Sequence, residues 1–202
     1  MFRESHHLTD QHGCYYLTFN VVDWVDVFIR PVYKQIIVDT LNFLVASRGL
    51  EVYAWCLMSN HLHLVCRSTR EEGISSIERD FKKETTKRIL SEIDVEPDIR
   101  RNWMMERFEK FCHTLKRKEK FNLWQSCTNP VHIRMDEESD LQHYIHHVHD
   151  NPVRDGIVNK PEDYMYSSAR DYSGTRSQVN LMKMLHFSHP FYHGMLSREN
   201  GN

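Results

Sequence analysis

Apolar and polar positions follow two rhythms along this chain. Cys14–Val22, "CYYLTFNVV", is aromatic and β-branched and predicts a strand. In "RPVYKQIIVDTLNFLVASRG", Ile36, Ile37, Leu41, Leu44 and Val45 recur at helical spacing. Pro31 stands near the start and Gly49 just past the end, so a helix with one buried face is expected. "LEVYAWCLM" and "HLHLVCR" flank a bare "SN", which predicts two antiparallel strands joined by a tight turn. "GISSIERDFKKETTKRILSEID" reads as a second helix, with Ser75 or Ser76 as cap and Ile74, Ile77, Phe81 and Ile89 inward. Residues 94–120 are charged and irregular in pattern. "FNLWQ" and "VHIRM" bracket "SCTNP" and suggest a fourth strand, bent or interrupted by Pro130. "DEESDLQHYIHHVHDN" closes the series as a helix capped by Asp136 and ended by Pro152 and Gly156.

The resulting order begins β-α-β-β-α-β, the ferredoxin-like arrangement. The expected class is α+β, a ferredoxin-like sheet with helices on one face and a further C-terminal helix. Such a fold implies no particular activity. Residues 1–187 are expected to form one domain, with 188–202 as a tail of poor periodicity.

Composition narrows the picture only a little. Hydrophobic residues make up 40% of the 202 and charged residues 27%, an ordinary globular balance. The formal net charge of −2 provides no global basic field, so any nucleic-acid surface must be local. Five cysteines, none in C-x-x-C, argue against a disulfide framework or a structural zinc site and for buried free thiols. The opening residues lack an apolar core of signal-peptide type, and no apolar run is long enough to span a bilayer. The expectation is a cytoplasmic protein without a membrane role.

Fourteen histidines are many for this length. His61 and His63 in "SNHLHLV" lie two apart. On a strand both side chains leave the same face, so both imidazoles can reach one divalent ion while Leu62 and Leu64 face the core. The same spacing also fits two solvent-facing histidines.

The surrounding residues resemble a known family. "EVYAWCLMSNHLHLV" is similar to the central motif of the HUH single-strand endonucleases, closest to the REP-associated tyrosine transposases among the small insertion-sequence transposases with one catalytic tyrosine. "DFKKETTKRI", "LWQ", "NPVRDGIV" and "KPEDYMYSSARDY" resemble further pieces of that family in its order, over roughly residues 12–175. The resemblance implies a ferredoxin-like, dimeric protein that recognises hairpins in single-stranded DNA and nicks and rejoins a nearby strand. It implies that His61 and His63 hold Mg²⁺ or Mn²⁺ against the scissile phosphate. It also implies that a tyrosine on the last helix attacks phosphorus. A metal would polarise the phosphoryl oxygen, and a phenol of pKa about 10 needs such activation.

In that family the nucleophile precedes the asparagine of an Asn-Pro pair by four residues, and the asparagine completes the metal site. Here the asparagine is Asn151, and His147 stands where the tyrosine belongs. On a helix Leu141, Ile145 and Val148 cluster towards the sheet, whereas Asp140, Tyr144, His147 and Asn151 form another face. His146 and His149 fall away from that face, towards solvent, with His143 at its margin. Three readings of His147 stay open. Tyr144, one turn earlier, is the working nucleophile. Alternatively, His147 joins the ion or serves as base for a water, giving hydrolytic nicking. The third reading is that cleavage is lost and hairpin binding retained. Outside the family, a metal-binding interaction module is the remaining alternative.

For DNA contact the basic runs supply Arg79, Lys82, Lys83, Lys87 and Arg88 on one helix, Lys116, Arg117 and Lys118 beside Phe121 and Trp124, and Arg154. Each run alone is equally a solvated helix face. Tyr164, Tyr166 and Tyr172 fit base stacking or core packing equally well.

Overall fold

The computed structural model describes residue 8 and residues 10–95, 97–114, 120–126 and 130–174, apart from the side chain of residue 138. The elements are strand β1 (Cys14–Asn20), helix α1 (Pro31–Arg48), strands β2 (Leu50–Leu57) and β3 (His61–Ser68), helices α2 (Gly73–Val95) and α3 (Arg101–Thr114), strand β4 (Val131–Ile133), helix α4 (Glu138–Arg154) and the one-turn helix α5 (Ala169–Tyr172). The sheet is antiparallel in the order β2-β3-β1-β4, as the ferredoxin-like reading requires.

Strand parity divides the molecule into two cores. Leu17, Phe19, Leu62, Leu64 and Cys66 point into a cluster with Ile37 and Leu41 of α1 and Phe81 and Ile89 of α2. Val65 and Cys14 point the other way, into a cluster with Leu141, Ile145 and Val148 of α4. Thus α1 and α2 cover one face, and α4 lies on the other. A register shift between Val52 and Ala54 of β2 lets Tyr53 and Ala54 both join the α4 side.

Local chemistry explains the boundaries. Pro31 occupies the first turn of α1, where a missing N–H costs nothing, and Gly49 ends the helix in the left-handed region (φ 69°). A Cβ at Gly49 would lie 2.7 Å from side-chain atoms of Thr69 and Arg70. Met58 N–H donates to His61 O across the two-residue Ser59–Asn60 turn, as expected from "SN".

Several expectations are corrected. The first amides of α2 are met by Gln11 rather than by a serine of its own. Its Oε1 accepts from Ser75 N–H and its carbonyl from Ile74 N–H. Residues 101–114 form a helix that their charge obscured, although Met104, Phe108 and Cys112 recur every four residues and are buried. The fourth strand is only Val131–Ile133. Trp124 instead makes an isolated bridge to Val21 and sinks into the core, its indole N–H donating to Thr85 Oγ1 at 2.8 Å. Asp136 does not cap α4. Its N-cap is Glu137, with no side-chain cap bond. Pro152 does not stop α4 either. It sits in the last turn, where one lost hydrogen bond is tolerable, and the helix runs on to Arg154.

The free edge of β2 is covered by the segment after α4. Leu57 N–H donates to Tyr166 O, Ser168 N–H to Trp55 O, Tyr164 Oη to Leu57 O and Tyr172 Oη to Tyr53 O. Tyr164 and Tyr172 therefore pack and seal an edge that would otherwise offer unpaired backbone. Cys14, Cys56, Cys66 and Cys112 are buried free thiols, as expected. Among the described residues no helix is long and apolar enough to cross a membrane.

Thr85→Val would leave the buried Trp124 indole N–H without its acceptor. We expect a loss of roughly 1–3 kcal/mol, read as a lower urea midpoint with unchanged secondary structure.

Candidate metal and nucleic-acid site

The register of β1 with β3 pairs Thr18 with His63 and Asn20 with His61. Both histidines therefore leave the sheet on the α4 side, beside Tyr16 of the same face. Their ring centroids are 4.6 Å apart. The His147 ring, from α4, stands 6.1 Å from that of His63 and 5.5 Å from that of Tyr16. Tyr144 does not occupy this position. Its ring stacks on Tyr16 at 5.3 Å, while the other near-parallel neighbour of Tyr16 is His63 at 5.7 Å.

Hydrogen bonds orient both strand imidazoles. Asn60 Nδ2 donates to Trp24 O and to Asp26 Oδ1, which leaves Asn60 Oδ1 to accept from His61 Nδ1 at 2.7 Å. The lone pair of His61 is then on Nε2. His63 Nδ1 lies 2.7 Å from Tyr16 Oη and 3.3 Å from Thr18 Oγ1. A ring that donates Nδ1–H to the Tyr16 hydroxyl likewise keeps its lone pair on Nε2, the arrangement used by metal-bound histidines. His63 Nε2 is buried with no hydrogen-bond partner among the described residues, and so is Asn20 Oδ1. Such orphaned atoms cost about 1–3 kcal/mol each unless something pairs with them.

The site keeps its imidazoles neutral. Burial pushes His63 down to about 3, and His61 and His147 beside it act in the same direction. The neighbouring Asn151 carboxamide acts in the opposite direction. Burial also lowers His61, against Asp155 and Asp26, and lowers His147 together with Arg154 and His143. Neutral imidazole ligates cations, whereas imidazolium does not. Burial holds the Tyr16 phenol above its usual range, so it stays protonated. Asn151 Nδ2 donates to His147 O at 2.7 Å, and Arg154 Nη1 lies 3.4 Å from His147 Nδ1. Among the described residues no group of three or more His, Cys, Asp or Glu is arranged to hold an ion. The candidate set is two imidazoles and carboxamides.

His149 corrects its expected place in solvent. It is 1% exposed, with Nε2 at 2.8 Å from Ser168 Oγ and its ring against Tyr172. The segment that seals β2 also covers this flank of α4, which helical periodicity alone cannot foresee. Burial pushes His149 down to about 3. His146 is half-buried and His143 exposed.

The basic residues divide. Arg79, Lys82, Lys83 and Lys87 line an open groove of about 610 Å³ between α2 and residues 121–126, with Phe121 and Gln125 opposite. Lys82 is bonded to Glu78 Oε1 and to Ser126 O. Arg88 turns away to Asp39 and Thr40 of α1. Arg154 is exposed beside His147. Lys116, Arg117 and Lys118 lie outside the described residues. Sequence reasoning missed Tyr16, Thr18, Asn20 and Asn60. Their proximity to the pair could have been found only by assuming the β1–β3 register.

Acid should destabilise this fold. For His63 and His149 the folded value lies below the ordinary 6.5, so the unfolded chain binds more protons. Their stabilising contribution is complete above about pH 6.5 and is lost as pH falls towards 3. Each contributes a slope of up to about 1.4 kcal/mol per pH unit within that window. Urea midpoints between pH 7 and 4 should fall accordingly, and His149→Phe should flatten the curve.

Comparisons with known proteins bear on the family and the fold. The family model "Transposase IS200 like" matches residues 12–103. A solved REP-associated tyrosine transposase bound to a REP hairpin aligns with a TM-score of 0.60 at 20% identity, covering 93% of this chain and 96% of that one. A crystal structure from Deinococcus radiodurans R1, described as that of a transposase, aligns with a TM-score of 0.39 at 20% identity, covering 73% of this chain and 97% of that one. No curated protein matches the chain. Residues 12–103, which carry the histidine pair, are thus similar to the IS200-like transposase family, and the chain shares the fold of the REP-associated transposase.

Proposed function

We propose that this protein binds hairpin-forming single-stranded DNA, holds a divalent ion with His61, His63 and Asn151, and forms no phosphotyrosine. The observation that carries this reading is that His147, and no tyrosine of α4, stands against His63. Tyr144 is engaged with Tyr16 instead. The hairpin bound to the structurally similar transposase supports the choice of DNA partner.

The donor set fits Mg²⁺ or Mn²⁺. The buried, partnerless His63 Nε2 and the free lone pair of His61 are two neutral nitrogens, and Asn151 adds a carboxamide. When bound, the ion polarises a phosphoryl oxygen. The chain's own residues do the rest. Tyr16 and Thr18 fix the His63 ring, and Asn60 fixes the His61 ring. His147, kept neutral by burial, would serve as base for a water once Arg154 releases its Nδ1, so any cut is hydrolytic and does not conserve the bond energy for rejoining. Arg79, Lys83 and Lys87 offer phosphate contacts along the α2 groove, and Arg154 offers one at the site. A homodimer remains what the family resemblance implies.

A labelled hairpin oligonucleotide incubated with protein and Mn²⁺, then run on a denaturing gel, tests this. We expect no covalent protein–DNA band from the natural sequence and a new one from His147→Tyr. A shorter product without a band identifies hydrolysis, and no product identifies a hairpin-binding protein without cleavage. A covalent band abolished by Tyr144→Phe would overturn the reading.

Metal binding has its own check. Mn²⁺ titration followed by electron paramagnetic resonance should show binding abolished in the His61→Ala, His63→Ala double variant. Tyr16→Phe should weaken it about 10-fold, since removing a group that orients a ligand typically costs 10- to 100-fold in affinity.

A further inference from the structure

The two-residue turn before His61 is clasped by the segment between β1 and α1. Val21 N–H donates to Asn60 O at 2.9 Å, and Phe28 N–H donates to Ser59 O at 2.8 Å. Asparagine is often placed in turns because it tolerates the left-handed backbone. Asn60 does not use that tolerance, since the non-glycine residues with positive φ among those described are Asp23 (φ 51°) and Trp24 (φ 54°). Its side chain is what the turn employs. Asn60 Nδ2 donates to Trp24 O at 3.2 Å and to Asp26 Oδ1 at 3.1 Å, while Oδ1 stands 2.7 Å from His61 Nδ1.

A carboxamide can meet an imidazole with either end. With its oxygen towards the ring it accepts, so the proton sits on Nδ1 and the lone pair on Nε2. Turned over, its NH₂ donates to Nδ1, and the ring proton moves to Nε2, where it blocks a cation. The far end of Asn60 decides between the two. Trp24 O and the Asp26 carboxylate only accept, so the turned-over amide would set oxygen against oxygen.

Both acceptors are themselves held in place. A left-handed backbone is rare for a bulky residue, and such strain collects at functional sites. Core packing does not explain it at Trp24, whose side chain is 55% exposed with its ring edge-on to that of His61 at 6.1 Å. What the strained turn achieves is to bring the Trp24 carbonyl to Asn60. Asp26 is anchored through its own carbonyl, which accepts from Arg100 Nη1 at 2.8 Å, and Arg100 Nη2 is bonded in turn to Asp98 Oδ2 at 2.7 Å.

We propose that Asp26 is a positioning residue of the metal site. Together with the Trp24 carbonyl it sets the Asn60 amide, and through that amide it fixes the His61 proton on Nδ1. This rests on the metal reading above and deepens it to the network that prepares one ligand. A neutral histidine in water carries its proton mostly on Nε2, so His61 left to itself would protonate the nitrogen that an ion needs. What counts at position 26 is an acceptor in that place, not a negative charge.

Long-range proton–nitrogen correlation spectra of the metal-free protein test this, with the His61 ring identified by its absence in His61→Gln. The natural protein should carry the proton on Nδ1. Asp26→Ala should shift the ring towards the Nε2–H form and weaken Mn²⁺ binding, followed by electron paramagnetic resonance, by about 10-fold. Asp26→Asn loses the same charge but can turn its own amide oxygen to Asn60, so it should keep the tautomer and most of the affinity. Equal weakening in the two variants would mean a charge effect and overturn the proposal. So would a lower urea midpoint in Asp26→Ala with the His61 tautomer unmoved, the mark of a merely structural residue. Asn60→Ala should give the shifted spectrum as well, and it carries the test if Asp26→Ala does not fold. An unshifted ring in Asn60→Ala, or a natural protein with the proton on Nε2, also overturns the proposal. If the natural protein shows the expected tautomer and binds no Mn²⁺, the metal reading falls and the orientation of His61 by Asp26 stands.

Discussion

The site depends on the antiparallel register between β1 and β3. Pairing Thr18 with His63 and Asn20 with His61 sends Tyr16, Thr18, Asn20, His61 and His63 out of the same face of the sheet. A slip of one residue would turn both imidazoles into the core occupied by Leu62 and Leu64 and empty the site. The register is well specified because each face is buried against a different layer, α1 and α2 on one side and α4 on the other.

Burial then sets the chemistry. The pair lies beneath α4, so water is scarce and charge is penalised. His61, His63 and His147 are held neutral by burial, reinforced at His63 by His61 and His147 and at His147 by Arg154. A cluster of imidazoles in this state is primed for a cation and poor at binding phosphate directly. Anion contact must come from other groups, Arg154 beside His147 at the end of α4 and, farther off, Arg79, Lys83 and Lys87 along α2. The division suits a ligand that presents a phosphate to an ion at one point and a charged backbone to the protein at others.

The same sealing segment ties the last part of the chain to the site. Ser168 bonds the Trp55 backbone and lies against His149, and Tyr172 packs on that histidine's ring. Residues 164–172 thereby fix α4 from behind while His147 and Asn151 face forward. An edge-covering device thus also positions the helix.

Much of this was legible in the chain. The strand–helix order, the caps Pro31 and Gly49, the two-residue turn and the strand-borne His61–His63 pair follow from local periodicity and turn chemistry, which depend on near neighbours in sequence. Helical spacing also brought Leu141, Ile145 and Val148 to the sheet. Helix α3 escaped notice because its charges diluted an apolar stripe only three residues long. The buried place of His149, the core place of Trp124, the Tyr16 contact with His63 and the strained Trp24 beside His61 were decided by tertiary structure alone. Each joins residues 19 to 47 positions apart or a backbone state that composition does not encode. Sequence pattern specifies which face a side chain leaves by. Only packing of one element on another decides what it meets there, and hence whether it is charged, buried or free to bind.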